Sequence, residues 1–337
     1  TAMTARTVGI ADITAAVGQE FLNLLESRNF PVKSLKVLES ARSQGKTIQL
    51  KGETLPVEVL GKDSFKGIEI ALFSAGGSRS LEFAPAAVAS GAVVVDNSSA
   101  YRMDPKVPLI VPEINPEMIK QHNGIIANPN CSTIIMNVPV YPLFKKFGVK
   151  RLVISTYQAA SGAGATAMRE LQDETRFVLD GGKHSDFKRT AYPHPYAFNV
   201  YAHNSKFDPM TRYCEEEMKM VNETRKIFGK SDIAVHATCV RVATLRAHAE
   251  AVNIEFPVEV SVDEAYAILS KAPGVKIFEN PSANAWPTPL DASGQGDVLV
   301  GRIRKDLSQP RTLDMWIVGD QLLKGAALNA VQIAELL

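Results

Sequence analysis

The stretch Asn128-Pro129-Asn130-Cys131-Ser132-Thr133 places a lone cysteine directly after a turn and directly before an apolar run. That run, Ile134–Phe147, predicts a helix, so we expect Cys131 at a helix N-terminus. Unpaired backbone N–H groups and the helix dipole favour a thiolate there and lower a cysteine pKa from its free value of about 8.5. A thiolate can form and release a covalent adduct at a carbonyl carbon. The other interpretation is a small buried residue that caps the helix.

Further polar side chains lie at the ends of strand-like runs in the second half of the chain. Gln158 and Arg241 each close such a run, and His248 lies near the start of another. Arginine can bind a carboxylate through two parallel hydrogen bonds, and histidine exchanges protons near neutral pH. Arg241 and His248 are seven residues apart, so an unbroken strand would point them to opposite faces. We therefore expect a bend near Ala243-Thr244.

Short apolar runs alternate with helical patterns along the first 150 residues, which is typical of a parallel sheet built from βαβ units. The predicted helices are Val17–Ser27, with an apolar stripe, and the alanine-rich Ser80–Ser90. Polar turns at the strand ends are where such a sheet binds ligands. The strand candidates are Thr7–Ala11, Ser34–Leu38, Ile68–Ser74, Val93–Asp96 and Ile125–Asn128.

From Arg151 onwards the strand-like runs become longer and carry more polar residues, which predicts a mixed sheet covered by helices. Gly181–Pro209 predicts an irregular surface segment, and Lys324–Val331 predicts a buried helix. The strand candidates are Arg151–Gln158, Ala234–Arg241, Ala247–Phe256, Asp297–Arg304 and Leu313–Gly319. The helix candidates are Thr166–Leu179, Glu215–Phe228 and Val262–Lys271.

Composition narrows the functional classes. The chain has 337 residues, is 45% apolar and carries a net charge of +1, so it offers no basic field for nucleic acid. We expect no membrane-spanning segment and no membrane-surface role. Three scattered cysteines, without a CxxC or His/Cys cluster, predict a reducing compartment and no metal site.

Several motifs occur together and in order, and with them the chain resembles aspartate-β-semialdehyde dehydrogenases over essentially its whole length. Besides the cysteine motif, they are Val17-Gly18-Gln19-Glu20-Phe21-Leu22, Phe73-Ser74-Ala75-Gly76-Gly77-Ser78, Val95-Asp96-Asn97-Ser98-Ser99-Ala100-Tyr101-Arg102-Met103, Ser155-Thr156-Tyr157-Gln158-Ala159-Ala160-Ser161-Gly162-Ala163-Gly164, Arg246-Ala247-His248-Ala249-Glu250 and Pro287-Thr288-Pro289-Leu290-Asp291. The resemblance implies reversible, NADP-dependent reduction of aspartyl phosphate to aspartate semialdehyde, within lysine, threonine and methionine biosynthesis.

The resemblance also implies the catalytic roles. Cys131 is the nucleophile that forms a thioester, and His248 is the acid–base residue, with a near-neutral pKa suited to proton transfer. Gln158 orients the acyl or thiohemiacetal group. The alternative for His248 is an inert, hydrogen-bonded histidine on a strand face.

Fixed cations suit a substrate with a carboxylate and a phosphate. By resemblance, Arg241 binds the substrate α-carboxylate and Glu217 binds its amino group. The residues implied at the phosphate are Arg102, Lys219, Asn130 and Ser99. The alternatives are a solvated charge for the arginines and, for Lys219, an ion pair with Glu216 or Glu223 on one helix face.

The expected cofactor loop departs from the family pattern. Asp12 and Ala15 stand where the family has glycines that make a tight turn and let the backbone approach the pyrophosphate. Either NADP binding is weakened, or a rearranged loop still binds through helix N-terminal N–H groups. Arg42 with two flanking serines favours NADP over NAD, although Glu39 precedes them. The implied cofactor contacts are Thr14, Ala15, Ala16, Val17, Ser40, Arg42, Ser43, Gly76, Ser161, Gly162 and Gln321.

We therefore expect an α/β fold with two domains. Residues 1–128 plus a C-terminal helix at 322–337 form an NADP-binding Rossmann domain, and residues 129–321 form an α+β catalytic and dimerisation domain with a mixed sheet. The expected partners are small-molecule substrates and a second copy of the chain, in a dimer or a tetramer, in the cytoplasm or, after removal of a transit peptide, a plastid. Two alternatives stay open: a related N-acetylglutamyl-phosphate-type reductase, and a binding or interaction subunit with impaired cofactor binding.

Overall fold

The protein is described by a computed structural model that covers residues 4–13, 15–50 and 52–337. The chain forms two compact units. The first contains the residues up to Asn130 together with Ala326–Leu337, and the second contains Cys131–Gly325. This two-unit α/β architecture confirms the predicted fold class.

The first unit is a doubly wound, mostly parallel sheet. Its strand order is β3-β4-β2-β1-β5-β6-β7, and the only antiparallel neighbours in this described sheet are β3 and β4. The strands are β1 (Arg6–Ala11), β2 (Val32–Glu39), β3 (Thr47–Leu50), β4 (Glu53–Val59), β5 (Ile70–Phe73), β6 (Val93–Asp96) and β7 (Ile125–Ala127). The helices are α1 (Ala16–Ser27), α2 (Gly77–Ala89) and, from the end of the chain, α8 (Leu328–Glu335).

The apolar stripe of α1 explains why the C-terminal segment returns to this unit. Phe21 and Leu25 of α1 belong to one buried cluster with Ala330 and Val331 of α8. Burial of these faces removes apolar surface from water, which is the main favourable term in packing a helix. The loops that follow β1, β2 and β5 start at the carboxyl ends of parallel strands, so they lie at one edge of the sheet.

The second unit is a mixed sheet with helices packed on it. Its strand order is β12-β13-β14-β11-β8-β10-β9, with β8 parallel to β10 and antiparallel to β11. The strands are β8 (Arg151–Gln158), β9 (Val200–Ala202), β10 (Ala234–Val242), β11 (His248–Glu255), β12 (Val275–Ile277), β13 (Val298–Lys305) and β14 (Thr312–Gly319). The helices are α3 (Cys131–Phe147), α4 (Ala165–Leu179), α5 (Glu215–Phe228), α6 (Val262–Leu269) and the single turn α7 (Pro289–Ala292).

Helix α3 lies in the centre of this unit. All residues from Ser132 to Val140 are buried, and the helix packs against α5, α6, β11, β13 and β14. A helix that is apolar on all sides is typical of such a central position. It contains Pro139 and Pro142, neither of which can donate a backbone hydrogen bond.

Two predictions need correction, and one hairpin was missed. The hairpin of β3 and β4 was not predicted, because its strands are short and half polar. The segment 181–209 is not simply irregular surface: it contains β9, and it buries Tyr192 and Tyr196 in a cluster with α4. The predicted helix at 324–331 begins as a π-helical turn, Leu323–Ala327, and only then continues as α8.

Candidate active site

Cys131 is the first residue of α3, as expected, and it is a partly exposed cysteine that forms no disulfide. Its surroundings include Gly325 in the π-helical turn. A Cβ added at Gly325 would come within 3.1 Å of the Cys131 Cβ, so a larger residue there would crowd the cysteine. π-Helical turns inside α-helices are frequent at functional sites. Gly325 therefore leaves the Cys131 side chain uncrowded on this side.

His248 is the first residue of β11, and its ring faces the cysteine. Its Nε2 lies 3.6 Å from the Cys131 Sγ, within hydrogen-bonding reach of a sulfur. On the other side of the ring, the backbone N–H of Ala159 donates a 2.8 Å hydrogen bond to Nδ1. Because Nδ1 accepts this bond, the proton of the neutral ring belongs on Nε2, directed at the sulfur.

The ionisation of His248 differs from the expectation. Burial lowers its pKa to about 3, the positive charge of Arg241 adds to the decrease, and Glu216 opposes it. Protonation of Nδ1 would also place a second N–H against the Ala159 N–H. The expected near-neutral pKa is therefore wrong: the ring is neutral at physiological pH and presents Nε2–H as a donor.

Gln158 and Arg241 are brought to the same site because β8 and β10 pair in parallel with these two residues opposite each other. The Gln158 side chain is buried; its Oε1 accepts from the Thr156 hydroxyl at 2.8 Å. Arg241 is also buried, and its Nη1 donates to the Ala159 carbonyl at 2.7 Å. The chain turns between Val242 and His248, so the predicted bend is confirmed.

An acidic side chain completes the group, and it is Glu216 rather than Glu217. The Glu216 Oε2 accepts from Gln158 Nε2 at 2.9 Å, and its Oε1 lies 3.7 Å from Lys219 Nζ. Although burial opposes ionisation, the His203 and Lys219 interactions and the Gln158 hydrogen bond hold the pKa of Glu216 at about 2. The site therefore contains a carboxylate, an arginine and a lysine around the Cys131–His248 pair.

Glu217 has a structural role instead. Its two carboxylate oxygens accept from the backbone N–H groups of Cys214, at 2.9 Å, and Cys239, at 3.0 Å. This carboxylate caps the start of α5 and ties it to β10, so the expected contact with a substrate amine is not supported. The signal for Glu216 in the sequence was its spacing of three from Lys219, which places both on one helix face.

The first unit holds the other expected substrate residues near the ends of β6 and β7. Arg102 is buried, and its Nε donates to the Asn128 carbonyl at 2.8 Å. Asn130 is buried and directly precedes Cys131 in the chain, while Ser99 is exposed. Asn128 in turn accepts a 2.6 Å hydrogen bond from Asn329. This network fixes the backbone that leads into the cysteine.

The altered cofactor loop keeps a compact turn. Asp12 adopts a positive φ of 69°, the left-handed conformation that glycine usually provides. Gly18 packs so closely that an added Cβ would come within 2.3 Å of the Asp12 carbonyl oxygen. Ala15 has no side chain that could cap α1, and the first helical turn, with Ala16 and Val17, contains no acidic residue. The helix N-terminus therefore fits a phosphate; Thr14 lies outside the described residues.

The remaining expected cofactor residues lie in both units. After β2, Ser40, Arg42 and Ser43 occupy or flank a short 3₁₀ turn, with Arg42 exposed and Ser43 buried. Glu39 is buried, and its Oε1 accepts from the Ser40 N–H at 3.2 Å. Gly76 has a φ of 86° and open space around its Cα.

In the second unit, the Ser161 hydroxyl donates to Gln321 Oε1 at 2.7 Å. Gly162 follows Ser161, and an added Cβ there would come within 2.9 Å of Arg241 Nη1 and 3.1 Å of His248 Nε2. The Arg241 and His248 side chains thus pack directly against the backbone of Gly162.

Within the described residues, no cluster of His, Cys, Asp and Glu has the form of a metal site. The helices in this part of the chain are also too short or too polar to cross a membrane.

Known sequences and structures resemble this chain over nearly its full length. Residues 7–122 match the semialdehyde dehydrogenase NAD binding domain, and residues 140–324 match the semialdehyde dehydrogenase dimerisation domain. An aspartate-semialdehyde dehydrogenase of a Synechocystis species is 56% identical over 98% of this chain and 96% of its own length. The chain belongs to the aspartate-semialdehyde dehydrogenase family.

Two further comparisons agree with this family assignment. The aspartate-semialdehyde dehydrogenase of Prochlorococcus marinus is 50% identical over 98% of this chain and 95% of its own length. A crystal structure of aspartate semialdehyde dehydrogenase II from Vibrio cholerae, complexed with ASA, has a TM-score of 0.95 and 41% identity. It covers 99% of this chain, and this chain covers 98% of it. The chain is thus an oxidoreductase of this family, with a dinucleotide-binding domain and a dimerisation domain.

Proposed function

We propose that the protein reduces L-aspartyl 4-phosphate to L-aspartate 4-semialdehyde with NADPH, and that the reaction proceeds through a thioester on Cys131. The observation that carries this proposal is the 3.6 Å approach of His248 Nε2 to the Cys131 sulfur, with Nδ1 held by the Ala159 N–H. The resemblance to aspartate-semialdehyde dehydrogenases supplies the substrate class.

The first chemical step is attack of the Cys131 thiolate on the acyl carbon of the substrate. A carbon–sulfur bond forms, the carbon–oxygen bond to phosphate breaks, and inorganic phosphate leaves with the electron pair. The Nε2–H of His248 stabilises the sulfur anion before the attack, because a neutral donor needs no proton transfer to do so. His248 acts here as a fixed donor rather than as a base.

Substrate orientation follows from the charges of the second unit. The guanidinium of Arg241 binds the α-carboxylate, and the ionised Glu216 binds the α-ammonium group. By the resemblance, Lys219 and Arg102 supply positive charge for the phosphate. These assignments keep the expected role of Arg241 and replace Glu217 by Glu216.

NADPH, when bound, supplies the hydride that reduces the acyl carbon. The residues that would hold it are the first turn of α1 for the pyrophosphate and Arg42 with Ser40 and Ser43 for the 2′-phosphate. Glu39, the residue that would favour NAD, is buried against the Ser40 N–H. The left-handed Asp12 supports the second interpretation of this loop, in which a rearranged turn still binds the cofactor.

The last step releases the aldehyde. The oxyanion of the Cys131 adduct re-forms a carbonyl, the carbon–sulfur bond breaks, and the thiolate leaves with the electron pair. Gln158 orients the reacting carbonyl group, since its side chain is fixed by both Thr156 and Glu216. The Nε2–H of His248 again stabilises the leaving sulfur.

We place this reaction in the synthesis of lysine, threonine and methionine, in a reducing compartment such as the cytoplasm or a plastid. None of the described cysteines forms a disulfide, which suits that environment. A homodimer through the sheet of the second unit is supported by the dimerisation-domain match and by Tyr157, which is 39% exposed and packs against Trp316 on that sheet. Light scattering of the purified protein distinguishes a dimer from a tetramer or a monomer.

The test is phosphate-dependent reduction of NADP by aspartate semialdehyde, followed at the nicotinamide absorbance, with NAD as a parallel cofactor. Turnover should require phosphate and should vanish in Cys131→Ala. Cys239→Ala is the matched control, because this cysteine is fully buried in β10 and its sulfur contacts that of Met220. Absence of turnover in the wild type, or equal turnover in Cys131→Ala, would overturn the proposal. Turnover with N-acetylglutamate semialdehyde alone would favour the related reductase instead.

A further inference from the structure

A second histidine, His203, lies beside Glu216 and has no part in the reaction described so far. It follows β9, and its backbone N–H donates to the Cys239 carbonyl of β10 at 2.9 Å. Its side chain is only 9% exposed, and its Nε2 lies 3.7 Å from the Glu216 Oε2. Within the described chain this buried Nε2 has no hydrogen-bond partner. A buried polar atom without a partner calls for an explanation.

The orientation of the His203 ring is fixed from its other side. The backbone N–H of Ser205 donates to His203 Nδ1 at 3.1 Å, so the proton of the neutral ring lies on Nε2, facing Glu216. Burial lowers the pKa of His203 to about 4; Glu216 opposes this decrease, and Arg241 and Lys219 contribute to it. The ring is therefore a neutral donor at physiological pH.

The backbone holds this donor in a fixed position relative to Glu216. The Glu216 N–H donates to the Ser205 hydroxyl at 3.0 Å, and the Glu215 N–H donates to the Lys206 carbonyl at 2.9 Å. The segment 203–206 is thus attached to the first turn of α5, which carries Glu216. These bonds fix the backbone that carries the His203 ring relative to the backbone that carries Glu216.

We propose that His203 is a positioning residue that gives the enzyme its preference for an α-ammonium group on the substrate. Its Nε2–H and the Gln158 amide both approach Glu216 Oε2, while Lys219 lies near Oε1. Together they prevent the carboxylate from rotating away from a bound ammonium. The inference rests on the proposed function, in which Glu216 binds that group.

The test compares two aldehydes that differ only in the amine: aspartate semialdehyde and succinate semialdehyde. His203→Leu removes the donor at similar volume, and His203→Gln keeps an N–H donor. We expect His203→Leu to lower kcat/KM for aspartate semialdehyde about tenfold, mainly through KM, because Glu216 loses the N–H dipole beside its Oε2 and its carboxylate is then free to rotate away from the ammonium group. Succinate semialdehyde should be unaffected, and His203→Gln should restore most of the loss.

His194→Leu is the matched control, because His194 is an exposed histidine of the 181–209 segment, which also contains His203. An equal loss with both aldehydes would show a merely structural role and overturn the inference, and so would unchanged kinetics in His203→Leu.

A second measurement does not depend on turnover, so it separates failure of this inference from failure of the proposed function. Alkylation of Cys131 by iodoacetamide is followed in the presence of L-aspartate or succinate. Stronger protection by L-aspartate in the wild type, lost in His203→Leu and restored in His203→Gln, supports the role of His203 even if no aldehyde is turned over. Equal protection by the two acids in the wild type overturns it.

Discussion

Replacement of Gly162 by alanine tests whether the geometry of the catalytic site depends on the absence of a side chain at this position. The new Cβ would lie 2.9 Å from Arg241 Nη1 and 3.1 Å from His248 Nε2. Since non-bonded atoms prefer separations of about 3.5 Å or more, each group must shift by roughly 0.5 Å. Neither can shift freely, because Ala159 binds Arg241 through its carbonyl, at 2.7 Å, and His248 through its N–H, at 2.8 Å.

A shift of this size acts on a Cys131–His248 distance that is already 3.6 Å. A displacement of 1 Å can cost about 100-fold in rate, so we expect kcat/KM to fall about tenfold in Gly162→Ala. The assay is the initial rate of phosphate-dependent NADP reduction, with the thermal unfolding temperature close to that of the wild type. Gly61→Ala is the matched control, since its Cβ would meet only Ser64 Oγ, at an ordinary 3.6 Å.

Two results would refute this reasoning. One is an unchanged kcat/KM in Gly162→Ala, which would show that the site adjusts without cost. The other is a loss found entirely in the dissociation constant for NADPH, measured by nicotinamide fluorescence. Because Gly162 is also an expected cofactor contact, that result would place the effect of the methyl group on the cofactor.

Three further outcomes follow from the same contacts. Gly325→Ala should slow the reaction of Cys131 with iodoacetamide by about tenfold, measured by loss of free thiol, because the methyl group crowds the cysteine; an unchanged rate contradicts this. The free energy of unfolding should fall as pH decreases from 6.5 towards 3, with a contribution from His248 of up to about 1.4 kcal/mol per pH unit. The reason is that in this range the His248 ring binds a proton in the unfolded chain but stays neutral in the folded protein. Urea unfolding of His248→Gln should lack that part of the slope, and an identical slope would argue against a neutral buried ring. Glu216→Gln should raise KM for aspartate semialdehyde about tenfold or more, whereas Glu217→Gln should leave KM unchanged and reduce stability by about 1 kcal/mol; the reverse pattern would restore Glu217 as the amine ligand.

Periodicity and motif order were sufficient to predict the helices and strands that carry the site. The alternation of strands and helices predicted the parallel sheet, and the apolar run after Cys131 predicted a helix that begins there. The expected turn between Arg241 and His248 followed from strand geometry alone. Each of these features depends on residues that are close together in the sequence, so it could be predicted from the sequence.

Features that depend on contacts between distant segments could not be predicted in the same way. The low pKa of His248 results from burial and from the charge of Arg241, and its tautomer is set by the Ala159 N–H, 89 residues away in sequence. The choice between Glu216 and Glu217 depended on the rotation of α5, and a run of three glutamates leaves that rotation undetermined. The N-cap residue of α5 is Cys214, and cysteine is not a typical N-cap residue, so the sequence did not indicate that Glu217 caps this helix.

At the Asp12 loop, comparison with the family motif was misleading for a different reason. The sequence pattern indicated a lost glycine turn, whereas the chain keeps the turn by placing an aspartate at a φ of 69°. Asp and Asn reach this conformation more readily than other residues with a side chain, so the substitution is milder than the motif suggested.

The composition of α3 determines when the Cys131 thiol becomes reactive during synthesis and folding of the chain. With Pro139 and Pro142 in its middle, this helix is a poor helix by itself and owes its existence to the elements packed around it. Until those elements have folded, Cys131 lacks both the helix terminus and the histidine beside it, and it behaves like any ordinary thiol. A nascent or misfolded chain thus carries no unusually reactive cysteine. Cellular electrophiles can react with an activated Cys131 sulfur only in correctly folded molecules.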